Sequence, residues 1–205
     1  MREILRGLNH PSHPASNLSS LRVEYMQDVV DSDLAKCDDF KAVTSRLRGL
    51  ELSITSWRET QEIDDDICRN IEIPEQHVFF GRDLQKYWLE PLQDRLRHLE
   101  LTAQSAWGYV PECDLRGLHF PKLRSLVLGE MSFTHDWQFE WILSHGETLS
   151  SLTLNDCPIV HATWIGHTLD DENYPVFDLG QRSKWKHEIA DKRLNHWAYE
   201  GRWHS

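Results

Sequence analysis

Aliphatic residues recur along this chain in the phrase Leu-x-x-Leu-x-Leu, in which x is usually polar or small. Copies begin at Leu18, Leu47, Leu96, Leu123 and Leu149, and the copy at Leu18 ends in valine. The starting residues lie 29, 49, 27 and 26 positions apart. Because the side chains of a β-strand alternate between its two faces, each copy predicts a short strand with its leucines turned inward.

Three of these spacings, 29, 27 and 26 residues, fall at the upper end of the roughly 20–29-residue period of leucine-rich repeats. In that architecture each copy forms one strand of a parallel sheet on the concave side, and the chain returns along the convex side as helix or loop. The pattern therefore predicts an α/β fold, a leucine-rich-repeat-like solenoid of about five irregular repeats over residues 18–160.

Apolar residues at helical spacing predict convex-side helices over residues 33–45, 82–92 and 136–145. The 49-residue spacing exceeds one period and has two interpretations. It is either one repeat with an insertion at about residues 54–80, which we favour, or two repeats of which one has a degenerate strand at Ile71–Ile73.

The two ends of the chain lack the repeat pattern. Residues 1–17 end in proline- and serine-rich sequence, which predicts a disordered or irregular segment. Residues 161–180 predict a loop, because prolines, glycines and an acidic run interrupt any periodicity. Residues 181–205 predict a C-terminal helix that caps the solenoid, since a terminal repeat exposes its core without a cover.

The composition, 40% hydrophobic and 27% charged over 205 residues, is that of a globular domain. The net charge of −11 argues against a general nucleic-acid binder, which needs a basic surface. No apolar run approaches the roughly 18 residues of a membrane span, and the N-terminus has no signal-peptide core. The four cysteines form no Cys-x-x-Cys pair. We therefore expect an intracellular protein, cytoplasmic or nuclear, whose partner is neither nucleic acid nor membrane.

Residues 96–160 carry a more specific succession of phrases. Residues 120–128 read FPKLRSLVL, residues 141–145 read WILSH, and residues 149–159 read LSSLTLNDCPI. In this order they resemble the C-terminal leucine-rich region of fungal F-box proteins, where an FPKL-x-L-x-L phrase, a WLL-x-H helix and a TL-x-x-L-x-L-x-x-C-x-I phrase follow one another.

The resemblance implies a protein-interaction module, the substrate-recognition region of an F-box-type ubiquitin ligase subunit. The F-box is a helical module ahead of the repeats in that family, and residues 1–17 do not match it. Docking to the ligase adaptor is therefore not expected of this chain. The alternative is a truncated or orphan structural repeat protein without independent function.

The candidate binding surface is the concave face, formed by the outward residues between the motif aliphatics. A protein substrate or partner is the expected ligand, with charge selectivity from the charged members of the face. The alternative is an ordinary solvated sheet face. The candidate partner-binding residues are Arg22, Glu51, His98, Glu100, Thr102, Thr153 and Asn155.

No catalytic, cofactor or metal site is predicted. Cys157, His161 and His167 lie close in sequence, but their spacing fits no zinc module. The chain contains no Gly-x-Ser-x-Gly elbow, no glycine-rich phosphate loop and no His-Glu-x-x-His motif. We therefore expect a non-enzymatic protein without a cofactor.

Overall fold

The computed structural model describes residues 2–12, 17–29, 32–56, 73–160 and 168–176. The chain divides into two compact units, Met1–Pro158 and Ile159–Ser205. In the second unit, residues 168–176 form a turn closed by a bridge between Leu169 and Pro175. The predicted capping helix over residues 181–205 lies outside the described residues, as does most of the predicted loop over residues 161–180.

Five strands in the first unit form one parallel sheet in chain order. They are β1 (Ser20–Gln27), β2 (Gly49–Thr55), β3 (His98–Trp107), β4 (Ser125–Met131) and β5 (Ser151–Asn155). Each strand contains the second and third aliphatic positions of one motif copy, and these positions pair with their equivalents across the sheet. This arrangement confirms the predicted α/β class and the predicted parallel strands.

The motif leucines of the three inner strands lie at the centre of the core. Leu50, Leu99 and Leu126 pair in one row and are fully buried. Burial of each such side chain contributes roughly 1.5–3 kcal/mol to folding. On the end strand β5, Leu152 and Leu154 remain 46% and 43% exposed, because β5 has a neighbouring strand on one side only.

Helical segments connect the strands of the described part of the chain. They are α1 (Arg2–Leu8), α2 (Ser32–Lys36), α3 (Asp38–Thr44), α4 (Pro74–Val78), a π-helix (Phe79–Leu89), a 3₁₀ turn (Glu90–Leu92) and α5 (Asp136–Leu143). The helix predicted over residues 33–45 is present as α2 and α3, which are separated at Cys37. The helix predicted over residues 136–145 is confirmed as α5. The Gln138 side chain accepts hydrogen bonds from the backbone N–H groups of Thr134 and His135 at the start of α5.

The segment between β2 and β3 is helical but not as an ordinary α-helix. Sequence predicted a helix over residues 82–92, whereas the structure has a π-helix and then a 3₁₀ turn. Phe79, Leu84 and Leu89 are buried and recur every five residues, which matches the i→i+5 hydrogen bonding of a π-helix. Between Ile73 and Leu92 the structure contains no strand. Most of the predicted insertion lies outside the described residues, and so does Ile71.

Residues 2–8 form α1, where the sequence predicted a disordered or irregular segment. Leu5 packs into the core, and the Asn9 side chain donates a 2.8 Å hydrogen bond to the carbonyl of Asp39. Arg46 donates to the carbonyl of Leu8 at 3.0 Å. A helix of this length is not stable alone in water. These long-range contacts, which local sequence does not indicate, therefore explain the difference.

Candidate functional site

The outward residues of the five strands line up in rows on one face of the sheet, which we call the polar face. Strand register pairs Arg22 with Glu51, and Glu51 with Glu100. The neighbouring rows pair residues in the same way, since every strand enters the sheet at the same motif position. The polar face consists of Ser20, Arg22, Glu24, Gly49, Glu51, Ser53, His98, Glu100, Thr102, Ser125, Val127, Gly129, Ser151, Thr153 and Asn155.

Glu51 is the centre of a charged network on this face. Its Oε2 accepts a hydrogen bond from Nε of Arg22, and its Oε1 lies 3.5 Å from Nε2 of His98. The second partner of Arg22 is Glu24, whose Oε1 lies 3.8 Å from the guanidinium. The hydrogen bond to Glu51 raises the pKa of Arg22 above its ordinary value. Three strands therefore contribute to one arrangement of opposite charges.

Glu100 carries negative charge that this network does not neutralise by hydrogen bonding. It lies beside Glu51 in the register of β2 and β3, and it lines a shallow cavity of about 320 Å³ together with Arg22, Glu51 and Thr102. Within the described ranges no side chain donates a hydrogen bond to the Glu100 carboxylate. Like charges on neighbouring strands are unfavourable, so this cavity is suited to a cationic group.

Small residues bring the strands of the polar face close together. A Cβ atom at Gly129 would lie 2.8 Å from Cγ2 of Thr102, its register partner. A Cβ atom at Gly49 would lie 2.7 Å from Oγ of Ser20. The Thr102 hydroxyl also reaches the carbonyl of Leu52 at 3.4 Å. Glycine at these positions thus fits the close stacking of neighbouring side chains.

The predicted binding residues are brought together only in part. Arg22, Glu51, His98, Glu100 and Thr102 lie on adjacent rungs of β1 to β3. Thr153 and Asn155 lie on the same face but on β5, where they pair with the uncharged β4 residues Val127 and Gly129. They are therefore two strands away from Glu100 and Thr102, roughly 10 Å at the usual strand separation.

The sequence did not indicate an irregularity in β1 that adds to the site. Pairing with β2 shifts between Val23 and Met26, and Tyr25 between them has φ of 55° and is 80% exposed. Together with Glu24, Tyr25 lines the charged cavity and also a second cavity of about 260 Å³. The second cavity is mostly apolar, and its walls include Met26, Phe79 and Trp88. A motif that reads as a regular strand gives no signal for such a bulge.

Ligand atoms of Glu51, His98 and Glu100 lie within 4.8 Å of one another, a spacing that a metal ion could use. Both Glu51 oxygens are already occupied, one by Arg22 and the other by His98. His98 belongs to the candidate set itself, so a cation bound there would compete with Arg22, whose guanidinium already neutralises the Glu51 carboxylate. The sequence predicted no zinc site at Cys157, His161 and His167, and the two histidines of this set lie outside the described residues. Burial raises the pKa of the Cys157 thiol, which donates to the carbonyl of Leu128 at 3.3 Å.

His145, at the end of α5, has a structural role. Its Nε2 accepts the backbone N–H of Phe120 at 3.1 Å, and its Nδ1 lies 2.9 Å from the carbonyl of Trp141. These contacts require a neutral ring with the proton on Nδ1. Burial lowers the pKa of His145, in agreement with that assignment.

Comparison with known proteins adds no relatives to this description. No protein-family model matches the chain, and searches of curated proteins and of solved structures returned no significant match. Within the described ranges, no helix has both the length and the apolar character that crossing a lipid bilayer requires.

Proposed function

We propose that this chain is a non-enzymatic protein-interaction module that binds a protein partner on its polar face. The observation that carries the proposal is the alignment of Arg22, Glu51 and Glu100 on successive strands. A row of side chains held by a parallel sheet is positioned before a partner arrives, which lowers the entropy lost on binding. Two cavities beside Tyr25 could hold side chains of the partner.

The sheet fits a leucine-rich-repeat solenoid in which the polar face is the concave side. Support comes from the motif leucines, which pair at equivalent positions on all four strand interfaces. Together with the succession of phrases over residues 96–160, this favours the substrate-recognition region of an F-box-type ubiquitin ligase subunit in the cytoplasm or nucleus.

The charges of the polar face favour a partner with a basic side chain opposite β3. Glu100 presents a carboxylate in the cavity, while Arg22 and Glu51 already satisfy each other. The polar-face residues of β4 and β5 are uncharged, so that half of the face suits polar, uncharged groups. Charge complementarity of this kind contributes more to specificity and association rate than to affinity.

Affinity capture with the full chain tests the proposal. The wild-type chain is compared with the triple variant Arg22→Ala, Glu51→Ala, Glu100→Ala in a pulldown or proximity-labelling experiment. A matched control removes the same charges from exposed positions off the polar face, as Lys36→Ala, Glu140→Ala, Glu147→Ala. We expect the polar-face variant to lose the partners that the control retains.

Equal capture by the two variants would contradict binding on the polar face. Capture of no partner by the wild-type chain would favour the alternative, a repeat protein without independent function. The experiment also tests the sequence-based expectation that this chain does not dock to the ligase adaptor. Co-purification of the Skp-type adaptor with the chain would contradict that expectation. A second variant, Thr153→Ala with Asn155→Ala, should weaken capture less than the triple variant, since β5 is remote from the charged network.

A further inference from the structure

In three copies of the aliphatic motif the first leucine is flanked by basic residues, which gives a second repeated pattern at the start of the motif. It reads Arg46-Leu47-Arg48 before β2, Arg95-Leu96-Arg97 before β3 and Lys122-Leu123-Arg124 before β4. The central leucines are fully buried, which holds the flanking basic residues near the surface. The corresponding residues before β1 and β5 are Asn17, Ser19, Thr148 and Ser150, so the pattern is confined to the three inner strands.

The second basic residues of these patterns form what we call the arginine row, Arg48, Arg97 and Arg124. Backbone hydrogen bonds fix the row, because the N–H of Arg97 donates to the carbonyl of Arg48 at 2.7 Å, and the N–H of Arg124 to that of Arg97 at 2.8 Å. Neighbouring strands lie about 4.8 Å apart. The backbones of three exposed arginines are thus held along roughly 10 Å at the starting ends of the inner strands.

Two of the three first basic residues of the patterns have partners that hold the fold, which the arginine row lacks among the described residues. Arg46 donates to the carbonyl of Leu8, and Arg95 donates to the carbonyl of Ser45. Within the described ranges, by contrast, the guanidinium groups of the row make no hydrogen bond, and no carboxylate lies within 4.0 Å of them. The role of these three arginines is therefore not to hold the fold together.

On the polar face of the same sheet, an arginine has a partner of opposite charge. There Arg22 has Glu51 beside it on the next strand. The arginine row instead places three like charges at the starts of consecutive strands, in a chain whose net charge is −11. Like charges directly opposite each other on neighbouring strands are unfavourable, and an anionic ligand removes that cost.

We propose that the arginine row is a second binding site, separate from the polar face, for an anionic segment of a protein. Arginine suits such a ligand because its planar guanidinium binds carboxylate and phosphate oxygens through two parallel hydrogen bonds. Carboxylates and a phosphorylated side chain share this chemistry. A nucleic acid is disfavoured, because the acidic chain repels a long polyanion and three contacts release few counterions.

Fluorescence anisotropy with the full chain tests this site independently of any partner of the polar face. The probe is a fluorescein-labelled peptide with three glutamates on alternate residues. A second probe carries one phosphoserine, and a third has glutamine at the three positions. We expect the anionic peptides to bind and the glutamine peptide not to bind. Raising the salt from roughly 50 to 200 mM should weaken binding, since it screens exposed charges.

The variant Arg48→Gln, Arg97→Gln, Arg124→Gln should lower the affinity for the anionic peptides about tenfold or more, as expected for loss of charge-assisted contacts. The control Lys36→Gln, Lys41→Gln, Lys86→Gln removes the same charge from exposed positions elsewhere and should stay within about twofold of wild type. Binding of the glutamate peptide identifies a carboxylate site, whereas binding of the phosphoserine peptide alone identifies a phosphate site. Either result supports the proposal.

Equal losses in the two variants would overturn the proposal, because they would show a general effect of charge. A single-stranded DNA of about 20 nucleotides that binds more tightly than the peptides, with the same dependence on the arginines, would also overturn it in favour of nucleic acid. Urea unfolding measures the stability of the variant that lacks the three arginines. We expect it to be at least as stable as wild type, and a clear loss of stability would assign the arginines a structural role.

Discussion

Gly129 on β4 is the position where a single added methyl group tests the close stacking of the polar face. Its register partner on β3 is Thr102. The substitution Gly129→Ala would place a Cβ atom 2.8 Å from Cγ2 and 3.1 Å from Cβ of Thr102, whereas carbon atoms pack best at roughly 3.5–4.0 Å. Because Cβ is fixed to the backbone, the two strands must move apart to relieve the overlap.

Two opposing contributions set the size of the effect. Overpacking of this kind typically costs about 1–3 kcal/mol. Alanine recovers about 0.5–1 kcal/mol, because glycine has more backbone freedom to lose on folding. The free energy of unfolding of Gly129→Ala should therefore fall by roughly 0–2.5 kcal/mol, whereas the same substitution without overlap should raise it. Thr102→Ser removes Cγ2, so the double variant should recover about 1 kcal/mol of that loss as coupling between the two positions.

Urea unfolding followed by tryptophan fluorescence measures these differences. The matched control is Gly117→Ala, because a Cβ atom at Gly117 meets nothing within 4 Å, and this variant should be as stable as wild type or slightly more so. If Gly129→Ala gains as much stability as Gly117→Ala, or if Thr102→Ser rescues none of its loss, the close approach of β3 and β4 on this face is wrong.

Three further predictions concern the core, the buried histidine and the charged network. Leu101→Ala, at a fully buried position, should lower the free energy of unfolding by about 2–5 kcal/mol, and Leu154→Ala, at a 43% exposed position, by clearly less in the same urea assay. Burial lowers the pKa of His145 below 6.5, so the unfolded chain takes up its proton first. The contribution of His145 to stability is thus present above pH 6.5 and lost as the pH falls below it. Urea titrations between pH 5 and 7, compared with His145→Gln, should show a shallower slope in the variant. Glu100→Gln removes a like charge beside Glu51 and should raise the free energy of unfolding by roughly 0.2–1 kcal/mol at low salt, a gain that roughly 0.5 M salt should abolish. A gain that persists in high salt would contradict the electrostatic explanation.

The residues of the candidate site could be predicted from sequence only as members of one face. Alternation about the motif leucines places Arg22, Glu51, His98 and Glu100 together on that face, and the register of the sheet makes them neighbours. Which of these side chains form ion pairs with one another could not be predicted. Whether Glu51 contacts Arg22, His98 or both depends on side-chain conformations across three strands, and no pattern along the chain encodes them.

Some features could not be predicted because long-range contacts decide them. Helix α1 exists where the local sequence indicated irregular chain, since Leu5 and Asn9 find partners far along the chain. The bulge at Tyr25 interrupts a strand whose sequence is compatible with regular pairing. The π-helix that begins at Phe79 replaces the expected α-helix, because the wider turn aligns the apolar residues that the core accepts.

The pattern of aliphatic residues along the chain sets the number, the order and the inward face of the strands. Leucines at a strand's two-residue period leave one favourable way to bury them, and the shared motif positions bring successive strands into the same register. Tertiary structure alone decided which polar groups meet. Contacts between strands place Gly129 against Thr102 and form the ion pairs of Glu51. They also align the three residues of the arginine row. Those contacts depend on distances in space that a one-dimensional pattern does not contain.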